Sequence, residues 1–334
     1  MNGVHVLYGG AHLFKRETPA KLAKIARTSF EQHADGSDLF SDATVRERVR
    51  QKLEGERAVE AICIDFEDGF GVRSDQEEDE HAVRAATELA ATPPGVRIGI
   101  RIRALSGPTL TRAKRTLELF LKNLGTPPPG FSVTLPKVTS AAEVRALADR
   151  FDGDIELMLE HPRAFAHLDA ILDAAKGRCT AVHLGAYDLL SSIGVNATEQ
   201  RLDHPACDHA RVVTSFALAE RNVAFFDGAT TILPVGEGEA VRRAWTIHAI
   251  NVRRAIDFGI FAGWDLHPAQ LPARYGALFG YFLSRRAELT TRLEAFREKK
   301  EVATRLGQVF DDAATVRGLE SFFQRGVACG AFDA

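Results

Sequence analysis

The sequence predicts an α/β protein, a (β/α)8 TIM barrel with a C-terminal helical extension. Three observations point there. Short runs such as VTLP, IELML, AVHL and VAFF are apolar almost throughout, as strands covered on both faces must be. Longer segments with apolar residues three or four apart lie between them, the spacing of helices that cover the outside of a sheet. Such strands number eight in this chain. A closed barrel takes about 250 residues, so a chain of 334 has room for one appendage. An open doubly wound sheet is the alternative, but it opens on a Gly-rich turn, and GGAHLF after the first strand lacks G-x-G-x-x-G.

In chain order the strands are expected at 4–8, 61–66, 97–102, 132–136, 155–159, 181–184, 223–226 and 260–264. The first seven are followed in turn by PAKLAKIARTSFEQ, HAVRAATELA, TRAKRTLELFLKNL, AAEVRALADRF, FAHLDAILDAAK, ARVVTSFALAERN and GEAVRRAWTIHAINVRRAIDFG. Each of these has a helical apolar stripe. TPPG at 92–95 and TPPPG at 126–130 immediately precede strands three and four and read as rigid αβ turns rather than domain linkers. After strand eight a long helix is expected over 271–300, then a tail holding Gly307, Asp311, Asp312 and FFQRGVACGAF. The expected division is a catalytic barrel over 1–270 and a C-terminal helix and lid segment over 271–334.

Composition narrows the function. With 42 Lys+Arg against 45 Asp+Glu the net charge is -3, and phosphate-backbone binding needs a clustered basic excess, so nucleic acid is not an expected partner. No apolar run approaches the roughly 18 residues of a membrane span, and MNGVHVLYGG lacks the features of a signal peptide; a cytoplasmic protein with no membrane partner is expected. Cys63, Cys179, Cys207 and Cys329 are widely spaced, without C-x-x-C, and read as reduced structural thiols. Asp203, His204, Cys207 and His209 have ligand types but match no zinc spacing.

A barrel of this class builds its site at the C-terminal ends of its strands. Strand two delivers Asp65 and Glu67 there, strand three Arg101 and Arg103, and strand four Lys137. Strand five delivers Glu160, strand six Asp188, strand seven Asp227, and strand eight Asp265 and His267. Carboxylates crowded at one mouth raise one another's pKa unless a cation is shared. Magnesium suits such a place because it takes one or two protein carboxylates and completes its shell with water and substrate oxygens. Glu160 and Asp188, on neighbouring strands, are the expected ligand pair. Asp65 and Glu67 share one face of strand two; one would orient Arg101 or a metal-bound water and the other would handle a proton. Arg101 either holds a substrate carboxylate through its planar fork or pairs with Glu67.

These residues carry a resemblance. DFEDGFGVRSD is similar to the D-L-E-D-G/A signature after strand two of the citrate lyase β-subunit and malyl-CoA lyase family, within the HpcH/HpaI aldolase group. IRIR at 100–103 resembles that family's V-R-I-N, LPKV at 135–138 its L-P-K, and MLEHPRAF at 158–165 its strand-five glutamate segment. LGAYDLLSSIG at 184–194 resembles G-A-E-D-L with a following S-x-G, and DLHPAQL at 265–271 resembles I-H-P-x-Q. The resemblance implies a magnesium-dependent carbon–carbon lyase of aldolase or Claisen type, with Mn2+ as an alternative ion. Its substrate would be a 2-oxo acid, a hydroxy acid or a 3-hydroxyacyl-CoA. It further implies Glu160 and Asp188 as metal ligands, Arg101 as the carboxylate holder, and a C-terminal aspartate as acid/base in a neighbouring subunit of a homo-oligomer, a trimer or hexamer. The G-x-x-x-D spacing from Gly307 makes Asp311 that aspartate, with Asp312 its adjacent competitor. Arg103, Lys137 and His267 join Arg101 as candidates for holding substrate; His267 alternatively orients the strand-eight turn.

The sequence departs from the pattern where Val4-His5 and Gly9-Gly10 stand in place of Arg-Ser and P-G, and where Arg103 and Tyr187 replace an asparagine and a glutamate. Lys15, Arg16, Lys21 and Lys24 are the cations available to CoA phosphates. Two other readings stay open: a class II 2-oxo acid aldolase without CoA, and a non-catalytic metabolite-binding barrel subunit.

Overall fold

The computed structural model describes residues 3–298, 304–306 and 309–333. Eight parallel strands close into a barrel in chain order: β1 (His5–Gly10), β2 (Ala61–Asp65), β3 (Arg97–Arg101), β4 (Ser132–Leu135), β5 (Asp154–Leu159), β6 (Cys179–Leu184), β7 (Ala224–Asp227) and β8 (Ala262–Asp265), which pairs back onto β1. Register sets Gly10 beside Asp65 and Asp65 beside Arg101. Two groups far apart in sequence thus meet at the mouth through backbone pairing alone.

The outer helices follow from local chemistry. Leu110–Leu124 buries Ala113, Thr116, Leu117, Phe120 and Leu124 on one stripe and stops at Gly125, whose φ of 71° favours glycine. Asp75–Ala90 starts at a capping box in which Ser74 and Glu77 satisfy each other's backbone N–H. The first connection holds two helices, Thr18–His33 and Ala43–Glu54, where the sequence suggested one. The second, ATVRERVRQKLE, is mostly charged or polar and buries only Val45, Val49 and Leu53. That single narrow stripe is easily overlooked, yet it suffices once Asp42 caps the first turn.

The last helix of the barrel, Leu271–Glu298, serves two bodies. Its first half buries Leu271, Tyr275, Leu278, Phe279 and Phe282 in the main core, while Leu293 and Phe296 form a separate cluster with Val316 and Leu319. A two-stranded antiparallel hairpin, β9 (Thr304–Leu306) and β10 (Val309–Asp311), leads to helix Ala313–Cys329. That helix returns to the base of the barrel, the end opposite the mouth. Arg325 donates to the Gly259 carbonyl just before β8 (2.7 Å), and Arg48, on the helix that leads into β2, donates to the Gly330 carbonyl (2.6 Å). The described end of the segment expected as a lid therefore lies away from its own mouth. Among the described residues no helix is long and apolar enough to cross a membrane. All four cysteines are free and buried.

Candidate active site

At the C-terminal ends of the strands Asp65 fixes Arg101. Its two carboxylate oxygens accept from Arg101 Nε (2.7 Å) and Nη2 (2.6 Å), and also from the backbone N–H groups of Glu67 (2.9 Å) and Gly69 (2.7 Å). All of its acceptor capacity is used, and its carboxylate holds Arg101 in place. A Cβ on Gly69 would stand 2.6 Å from Asp65 Oδ2, which explains glycine there. Arg101 is 3% exposed and lies over the Tyr8 ring, 5.1 Å from its centroid. The edge of its fork expected to meet substrate is taken by Asp65, and Nη1 lies 3.2 Å from Glu67. The two readings of Arg101 thus merge: it is ion-paired, and it also lines the pocket.

Lys137 adopts φ of +52°, an uncommon conformation for a residue with a side chain. That turn aims its backbone N–H at Glu160 Oε2 (2.8 Å), while the ammonium bridges Glu67 and Asp68 and comes within 3.8 Å of Asp188. Burial raises the Glu67 carboxyl above the ordinary range, even though Arg101 and Lys137 oppose the rise. Asp68 is lower than usual, because Arg101 and Lys137 outweigh its desolvation. Burial pushes Glu160 up to about 8, with Glu67 and Asp188 adding to the effect and Arg101 and Lys137 opposing it. Gly185 is the price of this placement, since a Cβ there would stand 2.2 Å from Glu160 Cγ.

Tyr8, Asp65, Asp68, Gly69, Arg101, Glu160, Gly185, Tyr187, Asp188, Trp264 and Leu266 enclose a cavity of about 160 Å³. Among the described residues no three His, Cys, Asp or Glu side chains converge as a ligand set. Magnesium does not require three. Glu160 is a buried carboxyl destabilised in its charged form by neighbouring anions, and Asp188 lines the same cavity half-exposed. A hard dication between the two would relieve that repulsion, so this donor set fits one.

Other expected members of the mouth are engaged elsewhere. Asp227 is held by Arg211 at 2.9 and 3.0 Å, and Asp265 by Arg274 at 2.8 Å twice, both arginines coming from outer helices. Arg103, expected to bind substrate, instead donates to Glu78 (2.9 Å) and to the Gly71 carbonyl (3.0 Å) and is absent from the cavity wall. His267 caps its turn by accepting from the Ala269 N–H (3.2 Å), and Gln270 ties that turn to the Thr230 carbonyl (2.7 Å). Lys137 meets carboxylates rather than open space. His204 caps the following helix and Asp203 pairs with Arg201, which accounts for two of the four ligand-type residues there. Asp312 caps helix Ala313–Cys329 by accepting from the Ala314 (3.0 Å) and Thr315 (2.9 Å) N–H groups. The backbone of Asp311 pairs with Thr304 in the hairpin, and its side chain lies outside the described residues, as does Gly307. Sequence reading did not single out Tyr8 and Trp264 as parts of the wall, while Asp68 and Leu266 stand in the strand-end segments expected at the mouth. Tyr8 and Trp264 look like ordinary strand residues.

A citrate lyase structure from Burkholderia xenovorans LB400 superposes with a TM-score of 0.67 at 21% identity, over 98% of this chain and 92% of that one. The protein CitE from Mycobacterium tuberculosis, in complex with magnesium, acetoacetate and coenzyme A, gives 0.62 at 20% identity over 97% and 98%. A citrate lyase beta subunit from M. tuberculosis, complexed with oxaloacetate and magnesium, gives 0.53 at 22% identity over 83% and 96%. At these identities the likeness is one of fold, and it falls on the same proteins that the sequence motifs resemble. No curated protein sequence matches the chain. A family model described as Domain of unknown function (DUF6986) matches residues 2–334.

Proposed function

The chain belongs to the family described as Domain of unknown function (DUF6986), and we propose that this member is a magnesium-dependent carbon–carbon lyase acting on a 2-oxo acid, a hydroxy acid or a 3-hydroxyacyl-CoA. The observation that carries this reading is the pairing of buried Glu160 with Asp188 in one small cavity that Arg101 also lines. Glu160 and Asp188 would hold the dication. When bound, it would supply the positive charge that stabilises an enolate oxygen as the carbon–carbon bond breaks or forms.

The chain's own residues supply the rest. Asp65 locks the Arg101 guanidinium, so the end of the fork left facing the cavity is fixed before a substrate carboxylate arrives. Lys137 keeps Glu67 and Asp68 together and, through its backbone N–H, holds Glu160 in place. Glu67, raised by burial, is a proton-holding group beside Arg101. By its G-x-x-x-D spacing the second proton-handling group would be Asp311, and, with the described C-terminal helix packed at the base of its own barrel, it would act in the site of another copy. That reading calls for a homo-oligomer.

Calorimetric titration tests the metal site. Mg2+ or Mn2+ should bind the wild type, pyruvate should bind only with the metal present, and Glu160→Gln should lose both events. Pyruvate binding that ignores the metal and survives Glu160→Gln contradicts the reading. A rise in melting temperature with acetyl-CoA supports the acyl-CoA form, and no rise supports the CoA-free aldolase.

A further inference from the structure

Below the mouth the inside of the barrel is polar, where barrels of this class are filled mainly by branched apolar side chains. Glu156 of β5 accepts from Arg97 Nη1, from Ser132 Oγ (3.1 Å), from Thr134 Oγ1 (3.5 Å) and from His183 Nε2 (2.8 Å). Burial works against its charge, yet Arg97 and His183 hold the Glu156 carboxyl below the ordinary range. Replacing a buried ion pair by apolar residues of the same volume is often neutral, so fold stability alone does not account for this one. A carboxylate only accepts, so His183 Nε2 carries the proton, and in the neutral ring Nδ1 is then an acceptor. That Nδ1 has no hydrogen-bond partner in the protein, and neither have the buried Tyr8 hydroxyl and Arg97 Nε and Nη2. Tyr8 and His183 stand edge to face with ring centroids 6.0 Å apart. An acceptor without a donor thus lies close to a hydroxyl without a partner. Tyr8 packs in an inner cluster with Ala61, Ala181, Ala224 and Ala262, whose methyl groups fill little of the interior. Unsatisfied polar groups beside small side chains are what a buried water requires.

Tyr8 joins this interior to the candidate active site. Its ring lines the cavity and lies under the Arg101 guanidinium at 5.1 Å, while its hydroxyl is buried. We propose that the barrel interior holds an ordered water bridging Tyr8 Oη and His183 Nδ1, and that this bridge, backed by Glu156 and Arg97, makes Tyr8 a positioning residue for Arg101. The water site stands on its own geometry; the role of Tyr8 rests on the reading above, in which Arg101 meets a substrate carboxylate.

Two measurements test it. A high-resolution crystal structure of the wild type should show a water within ~3.2 Å of both Tyr8 Oη and His183 Nδ1, and Tyr8→Phe should lose or shift it. Both atoms left without a partner in that structure would overturn the proposal. Tyr8→Phe keeps the ring under Arg101 and against Trp264, whose centroid is 5.0 Å away, and removes only the anchor. By calorimetry this variant should bind Mg2+ as the wild type does. With Mg2+ saturating, it should bind pyruvate about 3- to 10-fold more weakly, the scale of one hydrogen bond's net contribution. A merely structural role would weaken both ligands or neither, and a hydroxyl without any partner would itself cost stability. Equal weakening of both ligands, an unchanged pyruvate affinity, or a higher denaturant midpoint for Tyr8→Phe therefore contradicts the proposal. If the wild type binds no pyruvate with Mg2+ present, the metal-dependent reading has failed and the role of Tyr8 falls with it, while the crystal structure still decides the water site.

Discussion

At the scale of single residues the site depends on contacts made by groups that do no chemistry. Gly185 has an ordinary φ of -91°, so Gly185→Ala carries no backbone strain, but its methyl would collide with Glu160. The expected outcome is a fall in Mg2+ affinity of at least tenfold by calorimetry, with a stability loss of about 1 to 3 kcal/mol from overpacking; unchanged affinity would separate Glu160 from metal binding. Asp65→Ala should behave differently. It leaves Arg101 as a buried charge without its bidentate partner, which costs about 3 to 5 kcal/mol, read as a large drop in denaturant midpoint. These dependencies were partly legible. The strand-two and strand-three motifs pointed to Asp65 and Arg101, but which one faces substrate and which one serves the other depends on the register of β2 against β3. Asp227 and Asp265 show the limit of sequence reading. Both stand at strand ends as expected, and both are neutralised by Arg211 and Arg274, which lie on outer helices and whose inward reach no local pattern reveals.

At the scale of elements the C-terminal segment separates two neighbouring aspartates. Asp312 satisfies the first turn of helix Ala313–Cys329, so Asp312→Ala should lower stability by about 1 kcal/mol and leave turnover largely intact. Asp311→Asn should do the reverse, with a turnover loss on the order of 10²-fold or more for a proton-transfer group and an unchanged melting temperature. If the two variants exchange these phenotypes, the assignment of Asp311 is wrong. Because the helix packs at the base of its own barrel, mixed oligomers of Glu160→Gln and Asp311→Asn should recover activity that neither has alone. The sequence showed the spacing that singled out Asp311, and it showed a long helix from 271. It could not show the direction in which that helix carries the chain, which depends on where Leu293 and Phe296 find Val316 and Leu319.

At the scale of the whole molecule the barrel is held partly by imidazoles that must stay neutral. Burial lowers His5 and His248 to about 4 from 6.5, although Glu60 and Asp265 partly oppose the shift for His5, and Asp265 alone for His248. Both bind protons more readily once unfolded. Their contribution is therefore complete above pH ~6.5 and is lost as pH falls toward ~4, on the order of 3 kcal/mol each. The melting temperature should accordingly be level near neutrality and fall steeply across that window; a flat profile down to pH 4 contradicts it. The closed eight-stranded architecture was readable because apolar runs and helical stripes alternate along the whole chain. The chemistry was readable only as a set of strand-end charges, of which the mouth keeps Asp65, Glu67, Asp68, Arg101, Lys137, Glu160 and Asp188. That set makes one central claim: Glu160 and Asp188 hold a dication that promotes enolisation of a 2-oxo acid. The most direct measurement is proton NMR of the pyruvate methyl group in deuterated buffer with the full-length protein. The account predicts methyl exchange that requires Mg2+, stops with a chelator, and is lost in Glu160→Gln. Exchange that persists without metal or in that variant, or no exchange with pyruvate and 2-oxobutyrate at saturating Mg2+, would contradict it.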